Sequence, residues 1–225
     1  MRILDLWCGS KSATQAFEDA GHEVISVDVL SIWKPTICKD IIDVTVEELA
    51  DYGEFDFIWA SPDCTVYSIA NLHSGHYKLP DPNPQTQLAR YMERRMKHTL
   101  HLIEGLKPRI GFLIENPRGL LRKLPLLRHL ARRTLTYCSY GDIRMKPTDV
   151  WGMLPGWAPR PPCHNENPLC DHERSPRGSV SGTQGLDWED KIRIPLELSS
   201  EILQACEDYD DRSLWGTLEK WYDAD

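Results

Sequence analysis

No apolar run in these 225 residues approaches the roughly 18 that a membrane-spanning helix needs. The chain opens directly on the strand-like Met1-Arg-Ile-Leu-Asp-Leu-Trp7, so neither a membrane span nor a signal peptide is expected. A disulfide framework is missing too: the seven cysteines, at 8, 38, 64, 138, 163, 170 and 206, are odd in number and scattered, which points to reduced thiols with catalytic or metal-binding roles. Positive charge is short, with 26 Lys and Arg against 34 Asp and Glu, and a formal charge of −8 argues against simple coating of nucleic acid. There is no internal repeat, no low-complexity tract and no Gly-x-Gly-x-x-Gly. What remains is a cytoplasmic type of chain, expected to be a monomer, long enough for one α/β domain with a small appendage.

The charge is unevenly spread. Residues 1–86 carry 5 basic and 14 acidic groups, 87–147 carry 14 and 4, and 148–225 carry 7 and 16. A basic middle between acidic ends reads either as one positive face or as helices with solvated Arg and Lys.

The informative stretch is Phe55-Asp-Phe-Ile-Trp-Ala-Ser-Pro-Asp-Cys64. Phe55 to Ala60 reads as a buried strand, and Ser61-Pro62-Asp63 must end it. Cys64 then lies in a loop past a strand's carboxyl end, where open α/β sheets collect ligands and reacting groups. It is either a nucleophile with a stabilised thiolate or a small space-filling residue.

Around it the chain reads as a βαβ series. Arg2 to Trp7 is a strand, 12–20 a helix stopped by Gly21, and Val24 to Asp28 a second strand ending in an acid that can accept hydrogen bonds from a ribose diol. Asp40 lies where a third loop can bring another carboxylate toward an adenine. The proline-rich 73–84 is a lid or an ordinary surface excursion. A helix over 85–105 turns Leu88, Met92, Met96, Leu100 and Ile103 to the core. Ile110 to Ile114 is a buried strand with Glu115-Asn116 at its end, where the glutamate is a proton donor with a raised pKa or a cap. A helix over 120–133 and a strand over 134–140 follow, then Arg144-Met-Lys146-Pro-Thr148, polar groups fit to hold a phosphate or a catalytic loop.

Residues 152–190 are rich in Pro and Gly and poor in periodic apolar positions. Within them Cys163, Cys170 and His172 fall inside ten positions, which suggests a structural zinc in a segment that cannot fold on its own packing. Cys138 or His164 would be the fourth ligand, and free thiols in a loop are the competing reading. A helix over 200–207 and an acidic tail close the chain.

Together these stretches resemble the DNA (cytosine-5-)methyltransferase family over roughly residues 1–151, in the manner of a small phage-like member with a reduced target-recognition region. Asp5-Leu-Trp-Cys-Gly9 resembles its cofactor loop, Ser61-Pro-Asp-Cys64 its Pro-Cys nucleophile loop, and Ile114-Glu-Asn-Pro117 its Glu-Asn motif. The sequence departs from the family's pattern at Ser10, Lys11 and Ser12, where glycines are expected, and at Asp63, where proline is expected. Arg144, Lys146 and Thr148 stand at its Gln-x-Arg-x-Arg positions.

The resemblance implies a doubly wound, Rossmann-like α/β sheet using S-adenosylmethionine, with a catalytic domain over 1–151, a small recognition or zinc-like insert over 152–190 and a returning helix and tail over 191–225. It implies methyl transfer to carbon 5 of cytosine in duplex DNA, with the base flipped out and bound covalently through carbon 6 to Cys64. Glu115 would act at the ring nitrogen N3, Asn116 would position the Cys64 loop, and Arg144 and Lys146 would support the substrate. The cofactor would meet Asp5, Trp7, Gly9, Ser10 and Ser61, with Asp28 on the ribose and Asp40 on the adenine. A phage-encoded member would work in the cytoplasm of a bacterial host. The alternatives are cytosine in RNA, a free cytidine nucleotide, or an idle relative that only binds nucleic acid.

Overall fold

The structure is a computed structural model, and it describes residues 1–68, 75–78, 82–164, 166–173 and 186–209. Its centre is a seven-stranded sheet in the order β3-β2-β1-β4-β7-β9-β8. The strands are β1 (Arg2–Leu6), β2 (Glu23–Asp28), β3 (Ile37–Cys38), β4 (Phe57–Ala60), β7 (Gly111–Pro117), β8 (Arg132–Thr136) and β9 (Pro147–Met153). Pairings among β3, β2, β1, β4 and β7 are parallel, and β9 runs antiparallel to both its neighbours. Two short strands, β5 (Tyr77–Lys78) and β6 (Asn83–Pro84), pair with each other; the rest of the expected lid, 73–74 and 79–81, lies outside the described residues.

Alternation along the strands builds two cores. Leu4, Leu6, Ile58, Ala60 and Ile114 face the side covered by α2 (Val46–Ala50) and α3 (Gln87–Leu106), whereas Ile3, Phe57, Trp59 and Leu113 face α1 (Gln15–Asp19) and α5 (Leu196–Glu207). Burial on both faces is why these strands read as nearly continuous apolar runs. Between them, α4 (Trp188–Ile192) precedes α5. Among the described residues no helix is long and apolar enough to cross a membrane.

Four elements differ from the sequence reading. The stretch 120–133 is two 3-10 turns, Leu121–Lys123 and Pro125–Leu127, followed by β8, because Pro125 lacks an N–H and holds Leu124 extended at ψ 149°. β8 therefore starts at Arg132 and stops at Thr136, where Tyr137–Tyr140 winds into a 3-10 turn ended by Gly141 at φ +79°. On α3 the buried stripe is Ala89, Met92, Arg95, Met96, Thr99, Leu102 and Ile103, while Leu88 is 41% exposed. α5 also begins earlier than expected, at Leu196 rather than Ser200, just after Pro195.

Candidate active site and metal cluster

Parallel pairing with β4 ends at Ile114, so Glu115 and Asn116 project past the parallel part of the sheet, held only by β9. The Ser61–Cys64 loop leaves the end of β4 beside them. Asn116 is fully buried and its Nδ2 donates to the Pro62 carbonyl at 2.7 Å, tying the cysteine loop to β7. Its Oδ1 is buried without a partner among the described residues, an acceptor left for a ligand. Asp63 turns the other way, accepting from the Thr65 N–H at 2.7 Å and the Thr65 hydroxyl.

Electrostatics link Cys64, Glu115 and Lys146. Burial raises the Cys64 thiol; Lys146 opposes that, and the carboxylates of Asp63 and Glu115 add to it. Glu115 is 5% exposed, and burial raises its pKa against the pull of Lys146 and of the Tyr137 hydroxyl, which donates to Oε1 at 2.9 Å. Burial lowers the pKa of Lys146, while Glu115 and Cys64 work to keep it charged. Its Nζ sits 4.5 Å from the centroid of the Tyr137 ring and donates to the Lys191 carbonyl at 3.2 Å. Lys146 is thus the cation beside a cysteine that follows an aspartate.

Arg144 has a different setting from Lys146. It is buried, paired with Asp142 through Nε at 2.8 Å, and donates to the carbonyls of Asp190, Lys191 and Arg193. These contacts strap α4 across the sheet edge, and Ser12 adds another by accepting the Ile194 N–H at 2.8 Å.

The expected cofactor residues gather at the ends of β1 and β2. Asp28 accepts from the N–H groups of Gly9 (3.0 Å) and Leu30 (2.8 Å), so one carboxylate fixes both loops. Trp7 adopts φ +63°, a costly conformation for a bulky residue, and is held there by donation of its indole N–H to Thr99 at 3.0 Å and by Arg95 stacked 4.7 Å above its ring. A small cleft lies between Trp7, Val27, Asp28, Val29, Lys39, Ile41 and Arg95. Apolar walls with a carboxylate at the end of β2 and two cations beside it fit a nucleoside-bearing cofactor.

Asp5 is fully buried beneath this loop, accepts the Thr14 hydroxyl at 2.7 Å and has its other oxygen unpartnered among the described residues; burial pushes its pKa up to about 7. The Asp40 carboxylate is engaged by Arg95 (Nε at 2.8 Å) and Tyr91. Ser10 bonds Ser12 at 3.1 Å, and Ser61 takes the Trp59 indole N–H at 2.6 Å.

Tyr137, Thr14, Thr99 and Asp142 were not singled out from sequence, and Arg95 was read only as one charge of the basic middle. Only Arg95 carried a signal, as a charge next to Met96 and three residues from Met92 within the apolar stripe.

Away from this edge, the Sγ atoms of Cys138, Cys163 and Cys170 and a ring nitrogen of His172 all lie within 4.8 Å of one another, a group able to hold a metal ion. The His172 Nδ1 is 3.1 Å from Cys170 Sγ and 3.6 Å from Cys163 Sγ. Tetrahedral zinc bonds would set such edges at about 3.6–3.8 Å. Cys138 joins the cluster and His164 does not. Burial pushes the Cys138 thiol up to about 12, with Cys163 and Cys170 adding to it.

No family model matches the chain. A probable DNA (cytosine-5)-methyltransferase of Frog virus 3 (isolate Goorha) is 24% identical over 221 residues, covering 92% of this chain and all of that protein. Among solved structures, the Entamoeba histolytica methyltransferase EhMeth aligns with a TM-score of 0.51 at 13% identity, over 74% of this chain and 57% of that one. The S. pombe Dnmt2 methyltransferase aligns at 0.44 and 16% identity over 71% of this chain and 51% of that one. The chain spans about half the length of these solved proteins but the whole of the viral one. The chain is thus similar from end to end to the viral protein, and its sheet has the fold of the EhMeth methyltransferase.

Proposed function

We propose that the protein methylates carbon 5 of cytosine in DNA, with Cys64 as nucleophile. The observation that carries this is the Asn116–Pro62 hydrogen bond at 2.7 Å, which holds the Cys64 loop against the strand bearing Glu115, with Lys146 acting electrostatically on both. Carbon 5 of cytosine is a poor nucleophile, and the chain's residues answer that need. The Cys64 thiolate, favoured by Lys146, adds to carbon 6. Glu115, whose pKa burial raises, donates to N3 and neutralises the charge that addition sends into the ring. Carbon 5 becomes enamine-like. S-adenosylmethionine, when bound, supplies the electrophilic methyl that carbon 5 requires. Loss of the C5 proton and expulsion of Cys64 then restore the ring.

The cofactor is assigned to the cleft beside Trp7, with Gly9 and Ser10 in its loop, Asp28 toward the ribose, Asp5 shaping the loop through Thr14, and Asp40 and Ser61 on its margins. Trp7 and Arg95 form an apolar and cationic wall that excludes water from one side. The target base in a duplex has to be flipped out to reach Cys64. Zinc is assigned to the Cys138, Cys163, Cys170 and His172 cluster as a brace for the insert.

The deciding experiment is transfer of label from methyl-labelled S-adenosylmethionine to duplex DNA, single-stranded DNA, RNA and dCMP in parallel, with Cys64→Ser as control. Label on DNA cytosine that disappears in the variant is expected. Label only on RNA or dCMP moves the substrate assignment, and label that persists in Cys64→Ser refutes the covalent route.

A further inference from the structure

The Cys/His cluster is joined to the catalytic edge by one peptide bond. Cys138 follows Tyr137, whose hydroxyl donates to Glu115. Both belong to the 3-10 turn Tyr137–Tyr140, and the backbone hydrogen bonds that tie its two ends are long. Tyr137 N–H reaches the Lys146 carbonyl at 3.3 Å, Asp142 N–H reaches the Tyr137 carbonyl at 3.3 Å, and Gly141 N–H reaches the Cys138 carbonyl at 3.4 Å. Good amide bonds centre near 2.9–3.0 Å, and 3-10 turns hold themselves poorly. Tyr137 and Tyr140 are buried in the core, and it is the backbone at Cys138 and Ser139 between them that takes a tie from outside.

That tie comes from the 160–173 segment. Cys163 N–H donates to Thr136 Oγ1 at 2.8 Å, Ser139 Oγ to the Pro161 carbonyl at 3.1 Å, Arg160 N–H to the Tyr140 hydroxyl at 2.8 Å and Glu173 N–H to the Ile143 carbonyl at 2.8 Å. The segment nevertheless has little apolar packing of its own: Leu169 is 93% exposed. The loop cannot anchor the turn by packing, and the four ligands lie where the two meet.

We propose that zinc on Cys138, Cys163, Cys170 and His172 is a positioning element of the active site, fixing Cys138 and so holding the Tyr137 hydroxyl on Glu115. This rests on the assignment of the cluster as a zinc site. Four protein donors with no open position make a closed structural centre, and Asn167 Nδ2, 3.3 Å from Cys163 Sγ, donates to one thiolate as an outer partner. A metal bound this way orders a loop that has little core and passes that order to its neighbour along the chain.

The test is a double-mutant cycle read by single-turnover formation of the covalent adduct on DNA containing 5-fluorocytosine, with metal content and cobalt spectra measured on the same preparations. Tyr137→Phe removes only the hydroxyl and is expected to slow adduct formation up to about tenfold, the weight of one buried hydrogen bond. Cys170→Ser should slow it by a similar factor. The double variant should be no slower than either single, and Cys170→His, which keeps four donors, should recover most of the rate. Purified protein should carry one zinc per chain, replaceable by cobalt with a thiolate charge-transfer band.

Independent effects that multiply in the double variant overturn the positioning role while leaving the zinc site standing. Well under one zinc per chain, with no cobalt band, removes the zinc site itself. Loss of far-UV circular dichroism on chelation marks a metal on which the whole fold depends, and also overturns the positioning role.

Discussion

Replacing Lys146 with Met leaves the bulk of the side chain and removes the cation that opposes burial, Asp63 and Glu115 at Cys64. An opposite charge near a titrating group is worth about one to three pKa units, and each unit is a factor of ten in thiolate below the pKa. The Cys64 thiol, already raised by burial, is therefore expected to rise by about one unit more in Lys146→Met. At neutral pH this costs about tenfold in thiolate and in the rate of adduct formation. Glu115 moves the same way, since Lys146 also holds its pKa down.

Both shifts are upward, so the whole pH–rate profile should move to the alkaline side, and raising the pH should recover about tenfold per unit until the new thiol pKa is reached. Lys146→Arg keeps the charge and should keep the profile. The assay is alkylation of Cys64 by iodoacetamide across pH, followed by mass of the Cys64 peptide, beside adduct formation on 5-fluorocytosine DNA. A Lys146→Met profile with the wild-type midpoint, merely lowered in height, refutes the assignment of Lys146 as the cation that offsets Asp63.

Three further outcomes are expected. Asp5, with a folded pKa near 7 against the ordinary 3.8, binds its proton more tightly folded than unfolded, so its contribution to stability falls as pH rises from about 4 to 7, by up to about 4 kcal/mol; Asp5→Asn should flatten that slope in denaturant titrations. Asp149 is fully buried and accepts from Arg122 Nε and the Thr134 hydroxyl at 2.7 Å each, so Asp149→Ala should destabilise by about 3 kcal/mol in thermal melts, through loss of a buried ion pair. A Cβ on Gly119 would meet the Tyr67 carbonyl oxygen at 2.3 Å, pushing on the chain just after Cys64; Gly119→Ala should cost about 1–3 kcal/mol and slow adduct formation more than it weakens cofactor binding.

The β1-α1-β2 start, the strand before Cys64 and the strand carrying Glu115 were legible because each is a short apolar run closed by a breaker or an acid, a pattern that survives without tertiary information. The segment 120–133 was not, since its Leu and Arg spacing satisfies a helix and only Pro125 argues otherwise, from a position that also suits the first residue of a turn. The stripe of α3 was shifted because Arg95 occupies a buried position: its charge is matched by Asp40, 55 residues earlier, and no local pattern can reveal that pairing. Tyr137 was missed for a similar reason. Its meaning lies in the Glu115 carboxylate it reaches across the sheet. The four cluster residues were legible as residue types, but only folding separates Cys138 from His164 as the fourth member.

The block pattern of charge takes on a different sense once folded. Arg95 pairs with Asp40, Arg109 with Asp56 and Arg122 with Asp149, so acids from both flanking blocks neutralise arginines of the basic middle. Arg144 pairs with Asp142, Arg133 donates to the Trp157 carbonyl, and Lys146 turns to the catalytic residues. Of the 14 basic residues in 87–147, no more than eight are then left to meet a phosphate backbone. Each phosphate contact on duplex DNA contributes about −0.9 to the slope of log affinity against log salt. Contact through this block therefore sets a limit of about −7, and with a chain at −8 overall the affinity for random duplex should be weak at physiological salt. Fluorescence anisotropy over a salt series measures the slope. A value steeper than the limit would require cations outside 87–147 and would move the DNA path away from α3 and the β7–β8 connection.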